Sequence, residues 1–93
     1  MNIYEATDCF KALSQPTRMR ILNTLISVGR RGCNAGRLGY LLSVPNNTLS
    51  FHLSHLCKAE LIASQKKGRQ IIYHICPQRL EQLKVYLAQN YKI

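Results

Sequence analysis

Few residues in this chain could do covalent or metal chemistry. It carries 4 cysteines, 3 histidines and 4 carboxylates in all. Cys9, Cys33, Cys57 and Cys76 include no Cys-x-x-Cys pair, the spacing a structural zinc site would need. His52 and His55 stand three apart on one stretch, a spacing that can hold a metal. His52 lies beside Leu53 on the apolar side, however, where an imidazole is more often packed than ligating. His74 and Cys76 share one strand face, and two residues do not make a site. No nucleophile–base arrangement and no phosphate-cradling glycine loop is present. The sequence therefore predicts no enzyme, no metal and no cofactor.

A second group of residues points to recognition by hydrogen bonding. Pro45-Asn46-Asn47-Thr48 opens a stretch whose polar side carries Ser50, Phe51, Ser54 and His55, with no acidic residue among them. Asn can bond bidentately to adenine, Ser and Thr can serve several bases, and Phe can touch a thymine methyl. Free amides at a helix start add donors and positive dipole potential. Asn46, Asn47, Thr48, Ser50, Phe51 and Ser54 are the candidates for a surface facing a DNA groove. Farther on, Lys66, Lys67 and Arg69 surround Gly68, a cationic tip suited to phosphates or a minor groove. Arg37 is a candidate for backbone contact, with Arg18, Arg20, Arg30 and Arg31 as weaker ones; such contacts position without specifying. Taken alone, the Asn/Ser face equally describes a solvated helix, and the Lys/Arg run a solvated turn. Their order along the chain separates the two readings.

That order comes from hydrophobic period. Ile3 to Leu13 shows a helical stripe of Ile3, Ala6, Phe10 and Leu13. Ser14-Gln15-Pro16 breaks it, and Pro16 suits the first turn of a second helix. In that helix Met19, Leu22, Leu25 and Ile26 recur at helical spacing up to Val28, and Gly29 ends it. Gly29-Arg30-Arg31-Gly32 reads as a basic, flexible connector. A short helix, Asn34 to Leu42, has Asn34 as its cap and Leu38, Leu41 and Leu42 facing inward. Ser43-Val44-Pro45 turns the chain into a helix from Asn46 to Ala59, with Leu49, Leu53 and Leu56 buried. Leu61 to Gln65 and Gln70 to Cys76 alternate as strands and form a hairpin through Gly68. Pro77 opens a last helix with Leu80, Leu83 and Leu87 as its stripe and Tyr86 and Tyr91 beside it. Helix–helix–helix–helix–hairpin–helix is the frame of a winged helix-turn-helix, mainly α with a β-hairpin wing. Its second motif helix is the one a major groove admits.

Size and charge agree. The 93 residues, 1–93, allow one domain, and 46% hydrophobic content is ample for a core. A domain this small is only marginally stable alone, so spare apolar helix surface predicts burial against a second copy. With 13 basic residues against 4 acidic, the net charge is +9 and favours a polyanion. No long apolar helix opposes a Lys/Arg-rich face, which argues against a membrane surface. Neither a secretion signal nor a spanning segment is visible. Reduced thiols and a cytoplasmic setting are expected.

These motifs resemble the ArsR/SmtB-type repressors. Phe10-Lys11-Ala12-Leu13-Ser14-Gln15-Pro16-Thr17-Arg18-Met19-Arg20-Ile21-Leu22 is similar to their opening signature. Thr48-Leu49-Ser50-Phe51-His52-Leu53 resembles their recognition helix, and Lys67-Gly68-Arg69 with Ile72-Tyr73 their wing. The resemblance runs from about Phe10 to Asn90. It implies a homodimer, joined through the first and last helices, on a palindromic double-stranded DNA operator that it leaves when a metal or thiol-reactive inducer binds.

The family's sensing residues do not carry over. Where many members have Glu-Leu-Cys-Val-Cys-Asp-Leu, this chain has Gly32-Cys33-Asn34-Ala35-Gly36-Arg37-Leu38, with Asn34 and Gly36 in the metal-binding cysteine positions. Pro77 to Ile93 holds neither Asp nor His, and Tyr91-Lys92 stands where arsenite sensors end in a Cys pair. Cys9, near the expected dimer seam, and Cys33, which follows Arg30 and Arg31, remain as candidate sensing thiols. Cys57 and Cys76 read as packing. The alternative function is a winged-helix dimer that binds DNA or protein without any inducer.

Overall fold

The computed structural model describes residues 1–89; Asn90 to Ile93 lie outside the described residues. The chain runs α1 (Ile3–Leu13), α2 (Pro16–Val28), a 3-10 turn (Gly29–Arg31), β1 (Cys33–Asn34), α3 (Ala35–Leu42), α4 (Asn46–Lys58), β2 (Ile62–Lys67), β3 (Gln70–Ile75) and α5 (Pro77–Gln89). This is a winged helix-turn-helix: α3 and α4 form the motif, and β2–β3 the wing.

Local chemistry sets most boundaries. A reciprocal capping box starts α1: the Glu5 amide donates to Asn2 Oδ1 at 2.8 Å, and the Asn2 amide to Glu5 Oε1 at 3.0 Å. Pro16 occupies the first turn of α2 while the Gln15 side chain accepts from the Arg18 amide. Asn34 caps α3, its Oδ1 accepting from the Arg37 amide at 2.8 Å. Ser43, with φ of 54°, turns the chain between α3 and α4.

Two features differ from the sequence reading. The wing is not a two-stranded hairpin alone: β1 adds to it, giving an antiparallel sheet in the order β1-β3-β2. Cys33 pairs with Tyr73 and Asn34 with Ile72. Nor is Gly29–Gly32 a flexible connector. It is a closed 3-10 turn in which the Gly32 amide donates to the Gly29 carbonyl at 3.1 Å. Gly29 and Gly32 both have φ of 66°, a left-handed conformation that glycine adopts without a Cβ penalty. A Cβ on Gly32 would also lie 2.5 Å from the Tyr73 carbonyl oxygen.

The core lies where α1, α2, α3 and α4 meet the root of the sheet. Leu22, Leu25, Leu38, Leu42, Leu49, Leu53, Leu56 and Leu83 are buried, as the periodicity predicts. Leu41, expected to face inward, is exposed, as are Ile3, Phe10, Met19, Ile26 and Leu87 of the other stripes; of the α1 stripe Ala6 is buried, together with the small residues Cys9 and Ala12. Small side chains allow α1 to lie close on α2 and α4 while its larger ones stay outside. Ile21, absent from the predicted stripe, is fully buried. β2 runs two residues farther into the tip than expected, while β3 starts at Gln70 as expected, so Lys66 and Lys67 belong to β2 and Gly68-Arg69 alone make the turn. Gly68, with φ of 60°, supplies the left-handed position there.

Arg79 of α5 ties three elements together. It donates to Glu5 Oε2 at 3.0 Å and to the Ala59 carbonyl at 3.1 Å, and its other nitrogen stands 3.5 Å from Glu60 Oε2. The guanidinium is largely buried, so these charge-assisted bonds count for more than surface pairs.

Candidate nucleic-acid interface

The interface is built on α4. Leu49, His52, Leu53 and Leu56 face the core, which turns Asn46, Asn47, Thr48, Ser50, Phe51 and Ser54 outward. All six are exposed. The helix starts at Pro45, which offers no side-chain cap, so the first-turn amides of α4 keep their donors. No acidic residue lies in that turn. An uncapped, acid-free helix end is a place for anionic or acceptor-rich partners.

Phe51 is 59% exposed and meets the His55 ring edge-on at 4.6 Å. An exposed phenyl braced by a neighbouring ring presents its apolar edge in a fixed direction. Lys66, Lys67 and Arg69 are exposed along and beyond the end of β2, so the wing tip is cationic. Arg37 is exposed on α3. An open cleft of about 320 Å³ separates the start of α3 from the wing, lined by Asn34, Gly36, Arg69 and Ile71 among others. The fold thus brings the α4 face, the wing cations and Arg37 onto one chain, held by a shared sheet.

Two arginines named as weaker backbone contacts have internal work. Arg18 Nε donates to the Ala12 carbonyl at 2.6 Å, and its Nη1 stands 3.4 Å from His52 Nδ1. Arg20 donates to the Leu42 carbonyl at 3.1 Å. One residue was passed over. Tyr40 is 83% exposed on α3, one turn from Arg37. Its signal in the sequence is its position off the Leu38–Leu42 stripe, where a tyrosine has no packing reason to sit.

The candidate sensing thiols are placed unlike the sequence expectation. Cys9 is fully buried, with Sγ 3.8 Å from the Ala59 carbonyl. Cys33, a residue of β1, is 4% exposed. Burial pushes both thiols up, outweighing the opposing field of Arg79 at Cys9 and of Arg37 at Cys33. A reactive thiolate needs the reverse shift and an open approach. Arg30 and Arg31 precede Cys33 in sequence, but the 3-10 turn leaves both exposed while Cys33 points inward. Among the described residues no group of three or more His, Cys, Asp or Glu side chains is placed to hold a metal ion. No described helix is long and apolar enough to cross a membrane.

Comparison with known proteins agrees with this architecture. Residues 13–65, more than half the chain, match a helix-turn-helix domain family. The transcriptional repressor SdpR of Bacillus subtilis is 36% identical over 66 residues, covering 71% of this chain and 70% of SdpR. The structure of an ArsR-like transcriptional regulator from Rhodococcus sp. RHA1 superposes with a TM-score of 0.82 at 32% identity, covering 92% of this chain and 78% of that one. A homodimeric winged helix-turn-helix domain from Mycobacterium bovis shares the fold at a TM-score of 0.77 and 18% identity, over 92% of this chain and 78% of its own. Two longer regulators, 41% and 34% identical, are matched over only 27% and 20% of their own lengths. The chain belongs to the ArsR-type winged helix-turn-helix family.

Proposed function

We propose that this chain is a cytoplasmic repressor that binds an inverted-repeat operator as a homodimer, with one α4 in the major groove of each half-site. The observation that carries the reading is the uncapped, acid-free start of α4, with Asn46, Asn47, Thr48, Ser50, Phe51 and Ser54 exposed on one chain with a cationic wing. Asn47 and Ser50 read base edges, Phe51 meets a thymine methyl, and Lys66, Lys67, Arg69 and Arg37 hold phosphates. Repression follows SdpR, whose name states that role.

A dimer has a surface available. Ile3 is 62% exposed and Phe10 41% on α1, and Val85 is 41% and Leu87 46% exposed on α5. Exposed apolar side chains on two terminal helices are the kind of surface a second copy covers. The Mycobacterium bovis domain of the same fold is homodimeric. Burial of Cys9 and Cys33 favours a repressor that needs no thiol inducer at those positions.

The test is anisotropy with a duplex selected from a randomised pool, beside a random duplex. Asn47→Ala lowers affinity for the selected duplex by about 1–3 kcal/mol and hardly changes random binding. Equal losses on both overturn base readout. Lys67→Ala weakens binding to every sequence and flattens the salt slope by about one unit. An unchanged slope removes the wing from the contact set.

A further inference from the structure

Farther along α4 from the proposed groove-facing residues, on the same side of the helix, lies a cavity of about 410 Å³ between α1, the start of α2 and the C-terminal half of α4. Lys11, Arg18, His55 and Lys58 surround it, Asp8 is the one carboxylate, and Ala12 and Ala59 complete the wall. His55 braces Phe51 from its rim, but none of the proposed base or phosphate contacts lines it. Lys58 stands 11 residues beyond Asn47, roughly 16 Å farther along the helix at the usual rise. On α1, Asp8 and Lys11 are turned about 80–160° from Ile3 and Phe10, so the cavity opens on a different flank from those two apolar side chains.

The basic groups are poised for an anion. Among the described residues, Lys11, His55 and Lys58 have no ion-pair partner within 4.0 Å. Arg18 is held at one end only. Its Nε donates to the Ala12 carbonyl at 2.6 Å, but its terminal nitrogens reach His52 Nδ1 at 3.4 Å and the Lys11 carbonyl at 3.5 Å, near the limit of hydrogen bonding. A guanidinium anchored at Nε and loosely engaged at both ends can turn its fork to an oxyanion at small cost. A tetrahedral phosphate can accept from donors arriving from three elements at once, as these do. The volume suits a small organic molecule rather than a bare ion, and Asp8 can accept from a ligand hydroxyl.

We propose that this cavity binds a small phosphate-bearing molecule, and that its occupancy draws Arg18 from His52 and weakens the DNA complex. His52 is a buried residue of α4, and Arg18 is its hydrogen-bonding link to the end of α1. Removing that link leaves α4 less firmly seated on α1 and α2. Linkage then makes the effect mutual: DNA lowers phosphate affinity by the factor that phosphate lowers DNA affinity. The binding claim stands on its own; the coupling claim rests on the repressor reading.

The experiment has two arms, with inorganic phosphate as the probe. In the first, the DNA-free full chain is titrated at constant ionic strength and followed by NMR. Saturable shifts are expected at Arg18 Nε–H and the His55 ring, with none at Lys66 and Lys67. Lys11→Gln should weaken binding roughly tenfold, the loss expected for one charge-assisted bond. Unsaturable shifts spread over the wing as well, or an unchanged affinity in Lys11→Gln, overturn the site. In the second arm, phosphate lowers the affinity of the unsubstituted chain for the selected duplex but not that of Lys11→Gln, whose phosphate-free DNA affinity is unaltered. A loss of DNA affinity in Lys11→Gln without phosphate assigns the cavity to a backbone phosphate of DNA and overturns the free-ligand reading. Failure of DNA binding itself leaves the first arm intact.

Discussion

His52 shows how one side chain can join recognition to stability. It is 6% exposed on the inner face of α4, with Arg18 against Nδ1 and the Phe51 ring edge-on at 5.6 Å. Burial first, then the charges of Arg18 and His55, hold its pKa below the ordinary 6.5. In the folded protein it is therefore neutral where an unfolded histidine would bind a proton. Stability is fully present above about pH 6.5 and falls as the pH drops below it, because protons favour the unfolded chain. Denaturant unfolding across pH 5–8 should show this decline, and His52→Gln should flatten it; an unaltered slope would mean other groups carry the dependence. The cysteines give a second outcome at this scale. Cys9 and Cys33 should resist alkylation in the native protein while the half-buried Cys57 and Cys76 are labelled, as read by mass spectrometry. Rapid native labelling of Cys33 would restore it as a sensing thiol. Sequence showed His52 to be a packing residue through its neighbour Leu53. It could not show that Cys33 faces inward, because Arg30 and Arg31 are adjacent in sequence but are carried outward by a turn.

Among the elements, the motif helices were legible and the strand between α2 and α3 was not. Leu49, Leu53 and Leu56 at helical spacing define α4, and Asn34 announces α3 by its capping side chain. β1 has two residues, too few for any alternation to register, and exists because β3 offers it a partner edge. Gly32 is the residue that makes this pairing possible. Gly32→Ala would place a side chain at φ of 66° and against the Tyr73 carbonyl, so it should destabilise the fold by at least about 1–3 kcal/mol. Gly29→Ala meets nothing within 4 Å and bears only the conformational cost, so thermal unfolding should rank Gly32→Ala well below Gly29→Ala. Equal midpoints would show that β1 contributes little. The helical stripe of α1 is a different case. Period identifies which residues share a side but does not tell a core from an interface: of that stripe Ala6 is buried, with Cys9 and Ala12 beside it, while Ile3 and Phe10 are exposed.

For the whole molecule, the +9 charge and the exposed apolar residues on α1 and α5 act together. Self-repulsion opposes pairing of two such chains, and in the proposed dimer the exposed apolar side chains have to outweigh it. Phe10→Glu puts a charge among them. Sedimentation should show a shift toward monomer, and affinity for the selected duplex should fall with a weaker salt slope, since fewer phosphates are neutralised at once. A variant that stays dimeric would move the interface elsewhere. The middle place of β3 in the sheet has a further consequence. Asn34 uses its backbone to pair with Ile72 and its side chain to start α3. The root of the wing and the root of the reading motif are thus one residue. If Asn47 and Arg69 contact DNA as proposed, that shared residue couples the spacing of their two contacts. A half-site lengthened by one base pair between its groove step and its outer phosphates should then bind more weakly unless the duplex bends.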